Sequence, residues 1–320
     1  MKRRVIPDID VIRNGLGHYA AIKPVQLWLD ANEPLLHRVL GSEERGLAYG
    51  KMGEIAGWES MGKTWLLLYL AVCAQHDDAL VILVMLENRL DKRWARLIGL
   101  RTKDIVLIEP YLKEKPKPAK WDKMTPKAKR IWLARNETED FASIEELSKE
   151  MITVVKKARK HWDKIFVGVD SIAAMVTLKE AEAGETNANM NTNNDLSRFL
   201  SRTLKQWALR AETQNAMFVF TNQLRVKPGV RFGNPEYTTG GNAVRLYTSW
   251  RVKIYRAKGG RMKNGSKTVG IKGFIHNFKN KVGGGSIEDA KIAYKFFFDR
   301  PLKFLEADDL EDTSKKGDKK

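Results

Sequence analysis

The stretch Gly57-Trp-Glu-Ser-Met-Gly-Lys-Thr64 says more about the fold than any other part of the chain. It matches the pattern GxxxxGK[ST], follows a short apolar segment and opens the apolar run Trp65 to Ala74. In such a turn, glycines let backbone N–H groups wrap around phosphates at the start of a helix, and the lysine reaches the terminal phosphates. The stretch therefore predicts a strand, a phosphate loop and a helix. The residues predicted to bind a nucleotide are Gly57, Trp58, Glu59, Ser60, Met61, Gly62, Lys63 and Thr64.

Apolar segments downstream of this loop are typical of buried strands in a parallel sheet. Segments with helical periodicity join them, as an α/β fold requires. The strand-like segments are Ala79 to Leu86, Ile105 to Ile108, Ile165 to Val169 and Met217 to Thr221. In the last third, apolar and polar residues alternate between Gly-rich turns, which favours antiparallel pairing. We therefore predict an α/β fold in which antiparallel C-terminal strands extend a mostly parallel central sheet.

Two acidic residues end predicted strands and suit the chemistry of a bound nucleoside triphosphate. The Thr64 hydroxyl can hold a magnesium ion, and Asp170, which ends the strand from Ile165, is the candidate to complete the ion's shell. Glu87 follows the strand after the loop helix and is the candidate general base for water. Each also has a simpler interpretation, since Asp170 could cap a helix and Glu87 could be only a solvated strand end.

The charge balance favours a polyanionic partner. The chain of 320 residues has 57 basic and 39 acidic side chains, a formal charge of +18. Such a field attracts nucleic acid, although a merely soluble basic surface has the same composition. Cys73 is the single cysteine, which excludes a disulfide framework within the chain and a thiolate zinc cluster. No apolar run suits a signal peptide or a membrane span, so we expect a cytoplasmic protein, in the host cytoplasm if a phage encodes it.

Shifts in composition divide the chain into an arm, a core and a tail. Residues 1–45 are predicted to form an N-terminal arm used in oligomerisation, and residues 46–305 to form the core. Within the core, residues 111–140 are rich in lysine and proline and are predicted to be a surface insertion. A solvated loop and an additional nucleic-acid contact are both compatible with that insertion. Residues 306–320 are charged and are expected to be a disordered tail.

Two segments around the nucleotide site resemble the RecA family. The stretch from Glu54 to Thr64 is similar to that family's Walker A segment with its preceding strand, and the stretch from Glu87 to Leu97 is similar to the segment that supplies its catalytic glutamate. The resemblance implies that Glu87 is that glutamate, that Asp91 lies at the adenine and that Trp94 stacks on it. By itself, Trp94 would suit an ordinary core aromatic on an amphipathic helix.

The segment from Thr221 to Asn242 resembles the second DNA-binding loop of the RecA family. The resemblance implies that Gln223 senses the γ-phosphate at one end of the loop and couples it to DNA binding at the other; a plain Gly-rich surface loop is the alternative. The residues expected to face DNA are Arg225, Val226, Lys227, Pro228, Arg231, Thr238, Thr239, Gly240, Gly241 and Asn242. A first DNA loop is expected between Thr177 and Asn194. Arg198 and Lys205 on the following helix match family positions near the DNA backbone, although solvated helix charges would look the same.

The segment Phe278-Lys-Asn-Lys-Val282 resembles the paired lysines with which a RecA protomer reaches the γ-phosphate of its neighbour. The resemblance implies that Lys279 and Lys281 stabilise transition-state charge in trans, which makes hydrolysis depend on assembly. A head-to-tail contact of this kind builds rings or helical filaments, and the RecA family forms filaments. Alternating strand lysines that are only exposed are the simpler alternative.

The resemblance implies an ATP- and Mg²⁺-dependent recombinase that forms a filament on single-stranded DNA, engages double-stranded DNA during strand exchange and hydrolyses ATP. A single-strand-binding protein or a loader would be a further partner. Because the chain ends soon after Phe298, we expect a phage-type recombinase similar to the UvsX group rather than a bacterial RecA with its C-terminal domain. The main rival is a hexameric helicase of the DnaB type, and a binding-only mediator is a third class.

Overall fold

The computed structural model describes residues 27–110, 118, 120–135, 142–183, 190–229, 233, 235–282, 290–299 and 303–310, with residues 131–135, 181–183 and 190–194 described for their backbone alone. The strands are β1 (Trp28–Leu29), β2 (Leu47–Ala48), β3 (Met52–Gly57), β4 (Leu80–Met85), β5 (Ile105–Ile108), β6 (Ile165–Asp170), β7 (Ala216–Val226), β8 (Glu236–Thr238), β9 (Trp250–Asn264), β10 (Lys267–Asn280), β11 (Lys291–Phe297) and β12 (Lys303–Glu306). The α-helices are α1 (Pro34–Leu40), α2 (Lys63–His76), α3 (Lys92–Ile98), α4 (Pro126–Arg135), α5 (Ile144–Ala158), α6 (Leu178–Ala183), α7 (Met190–Gln214) and α8 (Gly241–Tyr247).

One large sheet runs through the molecule in the order β12-β11-β10-β9-β3-β7-β6-β4-β5. The strands from β9 to β5 in this order are parallel to their neighbours, whereas β10, β11 and β12 continue the sheet antiparallel. The α/β fold with an antiparallel C-terminal extension is therefore confirmed. Strand β9 joins the two parts, because it pairs parallel with β3 on one side and antiparallel with β10 on the other.

Two apolar layers cover the faces of this sheet. On one face lies α2, whose Trp65, Leu66, Leu67 and Leu68 are all buried, as expected for a helix that is apolar on every side. On the other face, α5 and α7 pack against β6 and β7, where the ring of Trp207 stacks on Phe218 and Phe220. Because the parallel strands are covered on both faces, their polar chemistry is confined to the strand ends.

The described part of residues 1–45 packs onto the core. Strand β1 pairs with β2, and Leu36, Val39 and Leu40 of α1 are buried in the same cluster as α2. The helix begins at Pro34. Proline suits this position because the first N–H groups of a helix have no partner within the helix. The pairing of β1 with β2 therefore joins residues on both sides of the boundary predicted between the arm and the core at residue 45. Residues 1–26 lie outside the described residues.

The basic insertion and the tail also contain regular structure. Residues 126–135 form α4, whereas the sequence suggested an irregular loop; Pro126 again occupies the first turn, and a run rich in Lys, Ala and Arg favours a helix. At the other end, Glu306 belongs to β12 and Leu310 is buried beside Phe274 and Ala293, so packed structure continues into the predicted tail. None of the described helices combines the length and apolar character that crossing a membrane requires.

Candidate functional site

The phosphate loop, residues 57–64, connects β3 to α2 at the carboxyl edge of the parallel strands. A Cβ atom on Gly57 would lie 2.7 Å from the carbonyl oxygen of Ile254, so only glycine lets β3 approach β9 at this point. Gly62 has a φ of 92°, in the left-handed region, and is the residue immediately before α2. These two requirements explain locally why the motif needs glycine at both positions.

Lys63 is buried and lies at the start of α2. Its Nζ donates a hydrogen bond to the carbonyl oxygen of Trp58 at 2.9 Å, across the loop. Burial lowers the pKa of Lys63, and the carboxylates of Glu87, Asp170 and Glu59 oppose that shift. The ammonium group is thus held at the centre of the loop, where an anionic phosphate would stabilise it.

Thr64 and Asp170 meet as the sequence predicts. The Thr64 hydroxyl donates to Oδ2 of Asp170 at 2.7 Å, and the Thr221 hydroxyl donates to Oδ1. Burial raises the pKa of Asp170, while the hydrogen bonds from Thr221 and Thr64 lower it. Among the described residues, no three His, Cys, Asp or Glu side chains cluster to hold a metal by themselves. A hydroxyl and a buried carboxylate nevertheless fit Mg²⁺ that is also bound by phosphate and water, because hard oxygen ligands suit this ion.

Glu87 lies beside this pair because β4 and β6 are neighbours. The backbone N–H groups of Leu86 and Glu87 both donate to the carbonyl oxygen of Asp170, at 2.6 and 3.1 Å. The Glu87 carboxylate accepts from the Ser171 hydroxyl at 3.0 Å and from Nε2 of Gln223 at 3.3 Å. The structure thus brings together the side chains predicted to bind the metal, activate water and sense the phosphate.

A cavity of about 620 Å³ opens in front of the phosphate loop. Its far wall is aromatic: the Trp94 ring lies edge-on to Phe296 at 6.4 Å between centroids, and Phe296 lies edge-on to Phe298 at 5.7 Å. Trp94 therefore lines the cavity as expected. Asp91 does not line it, because its Oδ1 accepts the N–H groups of Arg93 and Trp94 and caps α3. Such N-capping is the common use of aspartate before a helix.

Further residues line this cavity that sequence reasoning did not single out. They are Asn88, Arg256, Arg261, Thr268, Ile271, Phe296 and Phe298. The run of aromatic residues at 296–298 was visible in the sequence, but only the packing of β11 against the loop reveals its position. Trp58 was predicted to bind the nucleotide but does not line the cavity. Its indole N–H instead donates to Glu236 on β8 at 3.4 Å.

A buried polar network lies directly behind the phosphate loop. Glu54 on β3 is completely buried and accepts from Nδ2 of Asn222 at 2.8 Å and from Nε of Arg251. Asn222 also donates to the carbonyl oxygen of Thr239 at 2.8 Å, and Arg251 donates to the Thr238 hydroxyl at 3.1 Å. A single carboxylate thus connects three strands with the end of the predicted DNA loop. The signal for it in the sequence is one charged residue inside an otherwise uncharged buried strand, Met52–Gly57.

The predicted second DNA loop begins and ends as a hairpin. Strand β7 continues beyond Gln223 and pairs antiparallel with β8, so that Arg225 lies opposite Tyr237. The exposed residues described in its first half are Arg225, Val226, Lys227, Pro228 and Gly229. In its second half, Thr238 and Thr239 accept the hydrogen bonds of the buried network and thereby anchor the loop. Arg231 lies outside the described residues.

Gly240 and Gly241 occupy left-handed conformations, with φ values of 94° and 70°, where the loop turns into α8. A Cβ on Gly240 would lie 2.6 Å from Cδ1 of Leu200, so close packing against α7 explains this glycine without any phosphate. The helix α7 also holds Arg198 and Lys205, both exposed and two turns apart on one face. The structure therefore brings the end of the loop next to the helix of Arg198. Exposed Asn242 follows on α8.

Lys279 and Lys281 do not line the nucleotide cavity of their own protomer. With Asn242, Arg245 and Leu246 they line a separate cavity of about 560 Å³. The Lys279 ammonium donates to the carbonyl oxygens of Arg245, Leu246 and Thr248 at the C-terminal end of α8. Burial lowers the pKa of Lys279 to about 8, assisted by the charges of Lys281 and Arg251. Among the described residues, the lysine pair therefore lies at a cavity separate from the phosphate loop of its own protomer.

Comparison with known proteins agrees with this arrangement. Residues 150–296 match the family model of the RecA N-terminal domain, a segment that contains Asp170, the predicted DNA loop and the lysine pair. Protein RecA of Syntrophus aciditrophicus is 30% identical over 237 residues, which cover 74% of this chain and 57% of the relative. Protein RecA 2 of Myxococcus xanthus is 32% identical over 237 residues, covering 74% and 55%.

Protein RecA of Methylococcus capsulatus is 29% identical over 267 residues, which cover 83% of this chain and 65% of the relative. In each case the chain spans less than two thirds of the relative's length. These matches, the strand order and the residues gathered at the phosphate loop show that the chain is similar to RecA proteins over most of its length.

Proposed function

We propose that this chain is an ATP-dependent DNA recombinase that forms filaments on single-stranded DNA and promotes homologous pairing and strand exchange. The observation that carries the proposal is the hydrogen bond between Gln223 and Glu87. It joins the side chain suited to activate water to the strand that continues directly into Arg225 and the exposed loop. A change at the nucleotide can therefore reach a DNA-binding segment through one continuous strand.

The chemistry follows from the side chains at the strand ends. Lys63 and the loop backbone hold the phosphates, and Thr64 with Asp170 would hold Mg²⁺, which neutralises phosphate charge when bound. Glu87 accepts a proton from water or orients it, a contribution of about 10²- to 10⁴-fold to the rate for a positioned general base. Gln223 keeps the Glu87 carboxylate in place and exchanges this hydrogen bond for one to the γ-phosphate. The exchange would pull on β7 and alter the loop that grips DNA.

Assembly completes the site. Lys279 and Lys281 would act on the nucleotide of the neighbouring protomer, and residues 1–45 would contribute to the contact between protomers. Because such a contact is head-to-tail, it generates an open helix unless the rotation closes a ring. The positive charge of the chain suits single-stranded DNA first and double-stranded DNA during exchange. A single-strand-binding protein or loader, a cytoplasmic location and the phage-type subgroup belong to the same proposal.

The ring helicase of the DnaB type is the second candidate. The matched relatives are RecA proteins, so they lend this rival no support. A ring helicase would unwind duplex DNA as a closed hexamer, whereas a recombinase would pair a single strand with homologous duplex.

The experiment measures steady-state ATP hydrolysis with and without single-stranded DNA, and images the same samples by negative-stain electron microscopy. We expect DNA to stimulate hydrolysis and helical filaments to form, followed by strand exchange between homologous substrates but not between heterologous ones. Closed rings with duplex unwinding would favour the helicase. Hydrolysis at the same rate with and without DNA, together with the absence of any assembly, would contradict both the recombinase and the helicase.

A further inference from the structure

Strands β9 and β10 form one wall of the nucleotide cavity, and that wall has two arginines with no role in the chemistry above. Arg256 and Arg261 line the cavity together with the phosphate loop. Both side chains are exposed to it, and within the described part of the chain neither guanidinium has a hydrogen bond or an ion pair. Among the described lining residues, Lys63 is the third cation, and the carboxylates are those of Glu59 and Glu87.

The register of the antiparallel strands points both arginines toward the phosphate loop. Arg256 lies opposite Gly273, which lies opposite Tyr294; Arg261 lies opposite Ile271, which lies opposite Phe296. Directly opposed residues in such a ladder share one face of the sheet. Tyr294 donates its hydroxyl to the carbonyl oxygen of Met61 at 2.9 Å, so this face is the one that contacts the loop.

Two glycines lie beside Arg256 where the hairpin leaves no room for a side chain. A Cβ on Gly260 would lie 2.4 Å from the carbonyl oxygen of Lys272 and 2.6 Å from Cγ of Arg256. A Cβ on Gly273 would lie 2.2 Å from the carbonyl oxygen of Tyr255 and 2.9 Å from the hydroxyl oxygen of Tyr294. Neither glycine has a positive φ, so space and not backbone conformation explains them. The charge of Arg256 also reaches Tyr294, because it opposes the rise that burial causes in the pKa of that tyrosine.

We propose that Arg256 and Arg261 form a second phosphate-binding wall, which holds the nucleotide of their own protomer against the phosphate loop. The inference rests on the proposed function in so far as that function makes the cavity an ATP site. Guanidinium groups suit phosphate oxygens because their planar N–H groups donate in pairs. The wall acts in cis, so it retains ATP and ADP on a free protomer before any neighbour contributes Lys279 and Lys281.

The test is nucleotide binding by the full chain without DNA, at a protein concentration where it is monomeric, with Mg²⁺ present. Fluorescence titrations give the dissociation constants of ATP, ADP and adenosine for the wild type, Arg256→Ala, Arg261→Ala and the double variant. The matched controls are Lys258→Ala and Lys267→Ala, exposed lysines of the same hairpin that do not line the cavity. All these residues are exposed, and circular dichroism checks that each variant folds.

We expect each arginine variant to weaken ATP and ADP by about tenfold and the double variant by more, while adenosine affinity and both lysine controls stay unchanged, since each lost contact is a charge-assisted hydrogen bond. Unchanged ATP affinity in the double variant would overturn this inference and leave the proposed function standing. So would an equal loss for adenosine, or a double variant that loses single-stranded DNA affinity but keeps ATP affinity. A wild-type protein that binds no ATP would overturn the proposed function with it.

Discussion

Glu54 and Asn222 are joined side chain to side chain inside the sheet, with Nδ2 of Asn222 at 2.8 Å from Oε1 of Glu54. Glu54 lies three residues before the phosphate loop, and Asn222 immediately precedes Gln223. The same amide holds the carbonyl oxygen of Thr239, so both ends of the exposed loop are tied to the strand that carries the phosphate loop. Two distant parts of the chain, each predicted separately from the sequence, are thus connected by buried hydrogen bonds.

The buried ion pair between Glu54 and Arg251 predicts that removing the charge of Glu54 strongly destabilises the fold. In Glu54→Gln the guanidinium of Arg251 loses its carboxylate while it stays buried, which should reduce the free energy of unfolding by about 3–5 kcal/mol. Urea unfolding followed by circular dichroism measures the change. The control is Glu212→Gln, which removes an exposed ion pair with Lys51 and should cost less than about 1 kcal/mol. Equal effects in the two variants would contradict the importance of the buried network.

The role of Glu87 predicts that binding and turnover can be separated. Glu87→Gln keeps the size of the side chain and its contacts to Ser171 and Gln223 but cannot accept a proton from water. We expect ATP and single-stranded DNA to bind as in the wild type, while hydrolysis falls by about 10²-fold or more. Single-turnover hydrolysis with labelled ATP measures this. Asp104→Asn, a surface change at the opposite edge of the sheet, serves as the control, and undiminished turnover in Glu87→Gln would exclude the assignment.

The exposed half of the loop predicts a salt dependence. If Arg225 and Lys227 contact DNA phosphates, Arg225→Ala and Lys227→Ala should each flatten the plot of log affinity against log salt by about 0.7 for single strands. Fluorescence anisotropy with a labelled oligonucleotide, at several salt concentrations, gives the slope. Lys160→Ala changes an exposed lysine just after α5, away from the loop, and should leave the slope unaltered. A slope that stays the same in the loop variants would remove these residues from the DNA site.

The lowered pKa of Lys279 predicts a pH effect on assembled protein. Burial and the nearby charges of Lys281, Arg251 and Arg245 lower this pKa to about 8, against the opposing charge of Glu54. The ammonium is therefore charged below about pH 8 and neutral above it. If the charge acts on a neighbouring nucleotide, DNA-stimulated hydrolysis should decline as the pH rises through about 8. Because arginine stays charged at these values, Lys279→Arg should move the decline to higher pH. A wild-type profile that is level from about pH 7 to 9.5 would contradict the role.

Much of this protein follows from local sequence. The phosphate loop depends on glycines and a lysine at fixed spacing. The buried strands β4 and β6 are recognisable in the sequence as apolar runs followed or ended by Glu87 and Asp170. Parallel strands bring their carboxyl ends to one edge, so the order of residues along the chain is enough to predict that Thr64, Asp170 and Glu87 meet. These features depend on residue type and short-range order, which a sequence records directly.

Tertiary structure alone decided which side chains face one another across strands distant in the chain. Arg256 and Arg261 enter the nucleotide cavity, and Glu54 meets Arg251, because of the pairing of β9 with β3 and β10. Strand register is set by packing across the whole sheet, and no window of neighbouring residues contains that information.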